Sequence, residues 1–310
     1  MAVNDVRPHI AWHREGNLFL VDENGRENAR REMTMQKKLG CNVQWWSRNE
    51  LDKRIPQCNL NGFVGATFGP DEGTMDPYAV LMGFRAKAKS LGADYIADEV
   101  VDISTAKGEV TGVKLASGKA LAAKIVLNCA GAWAAQIART AGVEIPVVPV
   151  KRQVFVVDPE HKQESLPRLT VLPSGLYIAR ETGGMLFVSK TMDADPIGFD
   201  FNWEDKRFME IVWPELAEFI PQLETLKLIR GWAGLYAVNT LDANAILGEW
   251  PELKGFYLAN GFSGHGFQQA AAVGRHMTEL ITATEPSMDL SVFGTERIVA
   301  NRPISCNLIV

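Results

Sequence analysis

Apolar positions alternate with polar ones, or recur every third and fourth residue, in an order that divides the chain into recognisable pieces. The first forty residues offer two strand-like fragments, 9–12 and 17–21, with no preceding unit to pair with. A charged helix follows at 27–39, closed by Gly40, and Ser47 caps another that runs toward Pro56. Residues 62–68 read as a short strand. Asp76-Pro77 then opens a helix with proline in its first turn, and Leu81, Phe84, Ala88 and Leu91 mark the face it is expected to bury.

Strand-like runs come next at 94–97 with 100–103, at 110–115 and at 124–128, with turns at Lys107-Gly108 and Ser117-Gly118 that make the middle pair a hairpin. The last run ends in Ala130-Gly131-Ala132, small residues where a strand stops and a helix, 134–141, begins. Open α/β sheets bind ligands at such strand ends. From Pro146 longer alternating strands take over, at 147–157, 170–172, 176–179 and 185–189, which predicts an antiparallel sheet and therefore a second architectural unit. A helix rich in tryptophan and phenylalanine, 203–219, supplies core aromatics, and 226–236 returns as a strand.

The stretch 255–281, GFYLANGFSGHGFQQAAAVGRHMTELI, organises the rest. An apolar strand at 256–259 ends in Asn260-Gly261, a glycine-rich turn passes through Gly264 and Gly266, and Ala270, Val273, Met277, Leu280 and Ile281 then recur at helical spacing with His276 on the outer face. Glycines that open a helix after a strand leave free N–H groups and the positive end of the helix dipole aimed at one spot. That suits a phosphate or another electron-rich group. An ordinary βα turn is the alternative, because Gln269 stands where a dinucleotide fingerprint would place its third glycine.

Composition narrows the classes. With 310 residues the chain can bury roughly three quarters of its unfolded surface, enough for one large core or two domains. A net charge of -5 argues against nucleic acid as the main partner. Cys41, Cys58, Cys129 and Cys306 show no close pairing, which points to a reducing compartment and to the cytoplasm. No run in the sequence approaches the roughly twenty apolar residues of a membrane span, and the start of the chain lacks the apolar core of a secretory signal. His9 and His13 sit four apart without a nearby carboxylate pair, a poor basis for a metal site.

In this order the pieces resemble the D-amino-acid oxidase and sarcosine oxidase superfamily of FAD-dependent oxidoreductases. Gly73 to Asp76 at a helix start, VVDI from Val100, VLNCAGAWA from Val126 and GFSGHGFQQAAAVGR from Gly261 carry the resemblance over nearly the whole chain. PVKRQVFVV from Pro149 is similar to the family's Pro-x-Arg-x-Gln segment. The ending, WAGLYAVNTLDANAILG with PISCNLIV, resembles a branch of the family whose members imply a link to respiratory-complex assembly.

The resemblance implies an α/β (α+β) fold in which a FAD-binding Rossmann-like domain is interleaved with an antiparallel substrate domain. Its segments would be 1–73, an N-terminal remnant with a substrate-domain segment; 74–145, part of the FAD-binding domain; 146–236, the substrate domain; 237–285, the rest of the FAD-binding domain; and 286–310, a tail. Val100 would hold the adenine side. Ala130, Gly131, Ala132 and Trp133 would line the adenosine and pyrophosphate path, while Gly261, Phe262, Ser263, Gly264, His265, Gly266, Phe267 and Gln268 would wrap the flavin beside Gly234 and Leu235. His265, Gln268, Lys190 and Tyr236 are the implied catalytic positions, and the sheet at 147–189 would cover the other ring face. The implied activity is oxidation of the C–N bond of a small amine or amino acid by hydride transfer to FAD. A flavoprotein-fold assembly or interaction factor is the alternative from another class. A flavin disulfide reductase needs a paired C-x-x-x-x-C that the sequence lacks.

Three departures from the family pattern stand out. No G-x-G-x-x-G occurs in these residues, so the βαβ unit that grips the FAD pyrophosphate is expected either upstream of a truncated start or on a partner subunit. Gln268 takes the place of a lysine that binds the substrate carboxylate in sarcosine oxidases. Gly234 stands where some relatives tether FAD through cysteine, which implies a non-covalent cofactor.

Overall fold

A computed structural model describes residues 9–304; Cys306 and the apolar end at 307–310 lie outside the described residues. In chain order the elements are β1 (Asn17–Asp22), α1 (Arg26–Lys38), β2 (Gln44–Ser47), α2 (Arg48–Arg54), β3 (Phe63–Gly69), α3 (Pro77–Ser90), β4 (Val100–Ala106), β5 (Glu109–Leu115), β6 (Ala120–Ala122) and β7 (Val126–Asn128). They continue with α4 (Ala134–Thr140), β8 (Val147–Pro159), β9 (Leu169–Val171), β10 (Leu176–Arg180), β11 (Leu186–Lys190), α5 (Asp205–Arg207), α6 (Trp213–Phe219), β12 (Leu226–Asn239), β13 (Ile246–Glu249), β14 (Phe256–Asn260), α7 (Gly266–Ile281) and α8 (Glu296–Val299). The chain forms two compact units; two of the crossings between them fall inside β8 and β12, and the others fall in loops at 94/95, 194/195 and 200/201.

The first unit holds the described residues up to Asp94 with Arg152–Ala194 and Phe201–Ala233. Its core is one face of the large sheet ordered β12-β8-β11-β10-β9-β1-β3-β2. Leu18, Leu20, Phe155, Val157, Ile178 and Val188 alternate along the strands and bury against Phe208, Val212, Leu216 and Phe219. The aromatic-rich helix is not one regular rod. Residues Phe208–Val212 widen into a π-type turn just before Trp213-Pro214, where proline cannot donate its share of the helical hydrogen bonds.

The fragment at 17–21 is a strand, and its partners come from downstream: β1 pairs antiparallel with β3 and parallel with β9, so strands from well-separated stretches share one sheet. Residues 9–12 form no strand. Helix α3 begins as read, with the Asp76 carboxylate accepting from Tyr78 N and Ala79 N at 2.9 and 3.1 Å. Its apolar face is bare, however, with Leu81, Phe84 and Leu91 exposed and Ala88 half-buried. Periodicity marks a face suited to burial, and no described element covers this one.

The second unit holds Tyr95–Lys151, Asp195–Asp200 and the described residues from Gly234 onward. A hairpin sheet, β4-β5-β6, carries Ile103 and Val110 into a core with α4; residues 94–97 are loop rather than strand. The second sheet is β13-β14-β7, in which β13 runs antiparallel and β7 parallel to β14. Alternation along β14 sends Phe256 and Leu258 toward Ala134, Ala135 and Ala138 of α4. Ala259 and Tyr257 turn to the opposite face, with Met277, Val273 and Leu280 of α7. The result is an α/β/α sandwich.

His276 belongs to that packed face and not to the outside, at 4% exposure. It lies one residue before Met277 and three after Val273, so a stripe wide enough to pack on a sheet includes it. The exposed side of α7 carries Gln268, Gln269, Ala270, Ala271 and Gly274 instead.

Candidate functional site

Strands β7 and β14 are parallel, with Leu258 opposite Asn128, so their carboxyl ends lie side by side. The loop through Ala130, Gly131, Ala132 and Trp133 leaves one strand end, and the loop from Gly261 to Gly266 leaves the other. This is the place where open α/β sheets receive ligands. Asn128 fixes the first loop: its amide donates to Ala134 O at 3.0 Å, and its Oδ1 accepts from Ala130 N at 3.0 Å. The Trp133 ring lies 5.2 Å from that of Phe199, in the short arm Asp195–Asp200, with the two planes tilted by 34°.

The second loop is built by backbone geometry only certain residues allow. Gly261 and Gly264 have φ of 69° and 100°, and Ser263 between them sits at 50°. Ser263 N donates to Ala237 O at 3.0 Å, and Val238 forms a bridge with Phe262, so the loop is laid along the end of β12. Gly234, Leu235 and Tyr236 precede these contacts on the same strand. His265 is the N-cap of α7 and makes no side-chain capping bond, which leaves the first-turn N–H groups of Gly266, Phe267 and Gln268 available. Phe267 and Gln268 are exposed.

A flat, electron-rich group such as a flavin fits these residues. A β-carbon at Gly131 or Gly234 would meet nothing within 4 Å, so there is open space beside both. Asn260, at the very end of β14, is 0% exposed, yet neither amide atom has a hydrogen-bond partner among the described residues. A buried amide in that state calls for a polar group or water.

Other positions named from the sequence lie elsewhere. Val100 opens β4 in the hairpin sheet, opposite Leu115. Lys190 ends β11 in the first unit, where its ammonium is ion-paired with Glu215. Lys151 has a side chain only 1% exposed and holds Asp200 at 2.7 Å. An open cleft of about 510 Å³ in the first unit, lined in part by His13, Glu15, Arg168, Arg180 and Glu181, includes none of the candidate residues. Its arginines are already paired, Arg180 with Glu15 and Arg168 with Glu181. Among the described residues no cluster of three His, Cys, Asp or Glu side chains could hold a metal, and no helix is long and apolar enough to cross a membrane.

A sandwiched parallel pair with a glycine-rich turn feeding an uncapped helix is an arrangement in which α/β proteins receive a cofactor. The chain belongs to the FAD dependent oxidoreductase (DAO) family, whose family model matches residues 2–280, and its cofactor is therefore FAD. It is similar to FAD-dependent oxidoreductase domain-containing protein 1 of Xenopus laevis, 33% identical over 97% of this chain and 67% of that protein. Glycine oxidase of Geobacillus kaustophilus is 28% identical over 86% of this chain and 69% of its own length. Among solved structures, L-proline dehydrogenase from P. horikoshii superposes with a TM-score of 0.87 at 28% identity, over 95% of this chain and 79% of that one. The chain spans about two thirds of the length of the FAD-dependent oxidoreductase domain-containing protein 1 relatives it matches and about a third of human sarcosine dehydrogenase.

Proposed function

We propose that this oxidoreductase oxidises the C–N bond of a small amine or amino acid, of the sarcosine, glycine or D-amino-acid type, to an imine. The observation that carries the reading is the pairing of two loops at the carboxyl ends of β7 and β14, one of them wrapped along Tyr236 and opening α7. Relatives named for glycine, sarcosine and L-proline all point to substrates with a nitrogen beside the reacting carbon.

In this reading FAD, when bound, accepts the two electrons that leave with the substrate C–H. The turn from Gly261 through Phe262, Ser263 and Gly264 to Gln268 would hold the ring, and the positive end of α7 would favour the reduced, negatively charged form. Ala130, Gly131, Ala132 and Trp133 line the path toward the adenosine, and Val100 holds the adenine side. His265 tunes the ring, and Tyr236 shapes its edge. Gly234 offers no thiol, so the cofactor is held without a covalent link. A G-x-G-x-x-G βαβ unit, supplied with these residues or by a partner subunit, grips the pyrophosphate. The proposed location is the cytoplasm.

Gln268 is a weak ligand for a carboxylate compared with a cation. Lys151, Arg152 and Lys190 are the candidates for that charge, and Lys190 would have to leave Glu215 to supply it. A second reading, an assembly or interaction factor linked to respiratory complexes, is favoured by Gln268 and by β7, which among the described residues is the outer strand of its sheet, with Leu127 exposed. The two separate in one assay: FAD-loaded protein given small amines should consume oxygen or reduce a dye and release the carbonyl product of imine hydrolysis. Full FAD occupancy with no turnover on any amine would favour the second reading.

A further inference from the structure

We infer that the buried pair Arg297–Asp242 is a positioning device that holds the Gly261–Gly264 turn in its ligand-binding shape, acting through Asn239 and Ser263. The functional importance of that turn rests on the flavin reading above; the mechanical link does not.

The connection can be followed atom by atom. Arg297, on α8, places Nη1 2.5 Å from Asp242 Oδ2, and its Nη2 donates to Asn244 O and Ala245 O at 3.2 and 2.7 Å. Asp242 Oδ1 accepts from Asn239 Nδ2 and from Asn244 N, both at 3.0 Å, while Oδ2 also accepts from Ile304 N at 2.8 Å. Asn239 in turn donates its backbone N–H to Ser263 Oγ at 3.0 Å, and that hydroxyl donates to Gly261 O at 3.2 Å. Four groups thus run from the C-terminal segment into the turn.

The burial is what gives the pair its leverage. Asp242 and Arg297 side chains are 2% and 7% exposed, and Asn239 and Ser263 are 1% and 8%. Removing one partner of such a pair leaves a charge without water or counter-charge, so the surrounding loop must rearrange. The loop is already constrained, because Ala243 and Ser263 both occupy positive φ, at 57° and 50°. Non-glycine residues stay in that region only where their neighbours over-determine it. A pair that merely fastened the C-terminal segment would be redundant here. Thr295 Oγ1 already donates to Glu249 O, and Gly294 bridges Leu247.

Amide hydrogen exchange on the 310-residue chain tests this without any flavin. Arg297→Met should speed exchange at the Asn239 and Ser263 amides about tenfold while leaving Ile103 and Val113 in the hairpin sheet unchanged. Thr295→Val, which loosens the same segment at its other anchor, should leave residues 239 and 263 protected. Arg297→Lys should show a smaller acceleration at the same two amides, and it serves as the decisive variant if Arg297→Met does not fold. Equal loosening of residues 239 and 263 by the Thr295 and Arg297 variants, no acceleration in either, or uniform acceleration throughout the second unit would overturn the inference. In FAD-loaded protein, Arg297→Met should also shift the flavin absorbance. Exchange that behaves as stated beside an unmoved spectrum would count against the flavin reading of the turn and leave the mechanical link standing.

Discussion

Gly264 lies directly against the ring of Tyr236: a β-carbon at residue 264 would come within 2.5 Å of Tyr236 Cε2. The glycine is therefore required twice, for its φ of 100° and for the closeness of the aromatic ring. Gly264→Ala should destabilise the protein by about 1–3 kcal/mol and weaken flavin binding. Tyr236→Ala opens the space, so the double variant should lose less stability than the sum of the two single changes, as read by chemical unfolding.

His265 stands at the start of α7, next to the N–H groups that would face the ring. Replacing it with alanine should shift the flavin reduction potential more than Gln269→Ala does. His276 would be an unsuitable control because it is packed in the core. Equal shifts for the two variants would remove His265 from the site.

Exposed Gln268 leaves the turn without a cation for an acidic substrate. Gln268→Lys should tighten a simple carboxylate inhibitor by about tenfold, since a charge-assisted bond replaces a neutral one. A Lys190→Met variant that abolishes carboxylate binding in the parent would show that Lys190 has exchanged Glu215 for the ligand.

Much of this was legible from local pattern. The caps at Ser47 and Asp76, the βα turn at Gly261–Gly266 and the hairpin of β4 and β5 each announce themselves within a few residues, because turn chemistry is local. The fates of His276 and of α3 were not. Whether a helical stripe includes one more residue depends on how wide a surface meets it, and whether Leu81, Phe84 and Leu91 are covered depends on what else is present. The placement of β1 between β3 and β9 likewise pairs Asn17 with both Gly69 and Leu169, separations that no local window can see. Of the neighbours of the turn, Tyr236 was named from resemblance. Asn239, Asp242 and Arg297 carry no local signal except that a buried Asp and Arg need each other.

The C-terminal end of α7 has an acid-sensitive tie. Hydrogen bonding from Ser287 N at 3.0 Å, followed by Arg275 Nε at 2.9 Å, holds the Glu279 carboxyl down at about 2 from 4.5. A carboxylate with a lowered folded pKa stabilises fully above its unfolded pKa and loses that contribution as pH falls through the folded one. Wild type should therefore be more stable than Glu279→Gln at neutral pH, with the difference shrinking between about pH 4.5 and about pH 2 in urea unfolding. A constant difference across that window would mean the tie contributes nothing.

As the ring-binding part of an amine-oxidising flavoenzyme, these residues should let substrate electrons reach the bound flavin. Anaerobic mixing reads that transfer, with FAD-loaded protein, joined if needed to a G-x-G-x-x-G βαβ unit, followed by visible absorbance against a panel of N-methyl amino acids, glycine, proline and D-amino acids. At least one of them should bleach the yellow flavin band, and Gly264→Ala should slow or prevent it. A fully occupied flavin that dithionite reduces but no amine in the panel bleaches would show that this is not an amine-oxidising site.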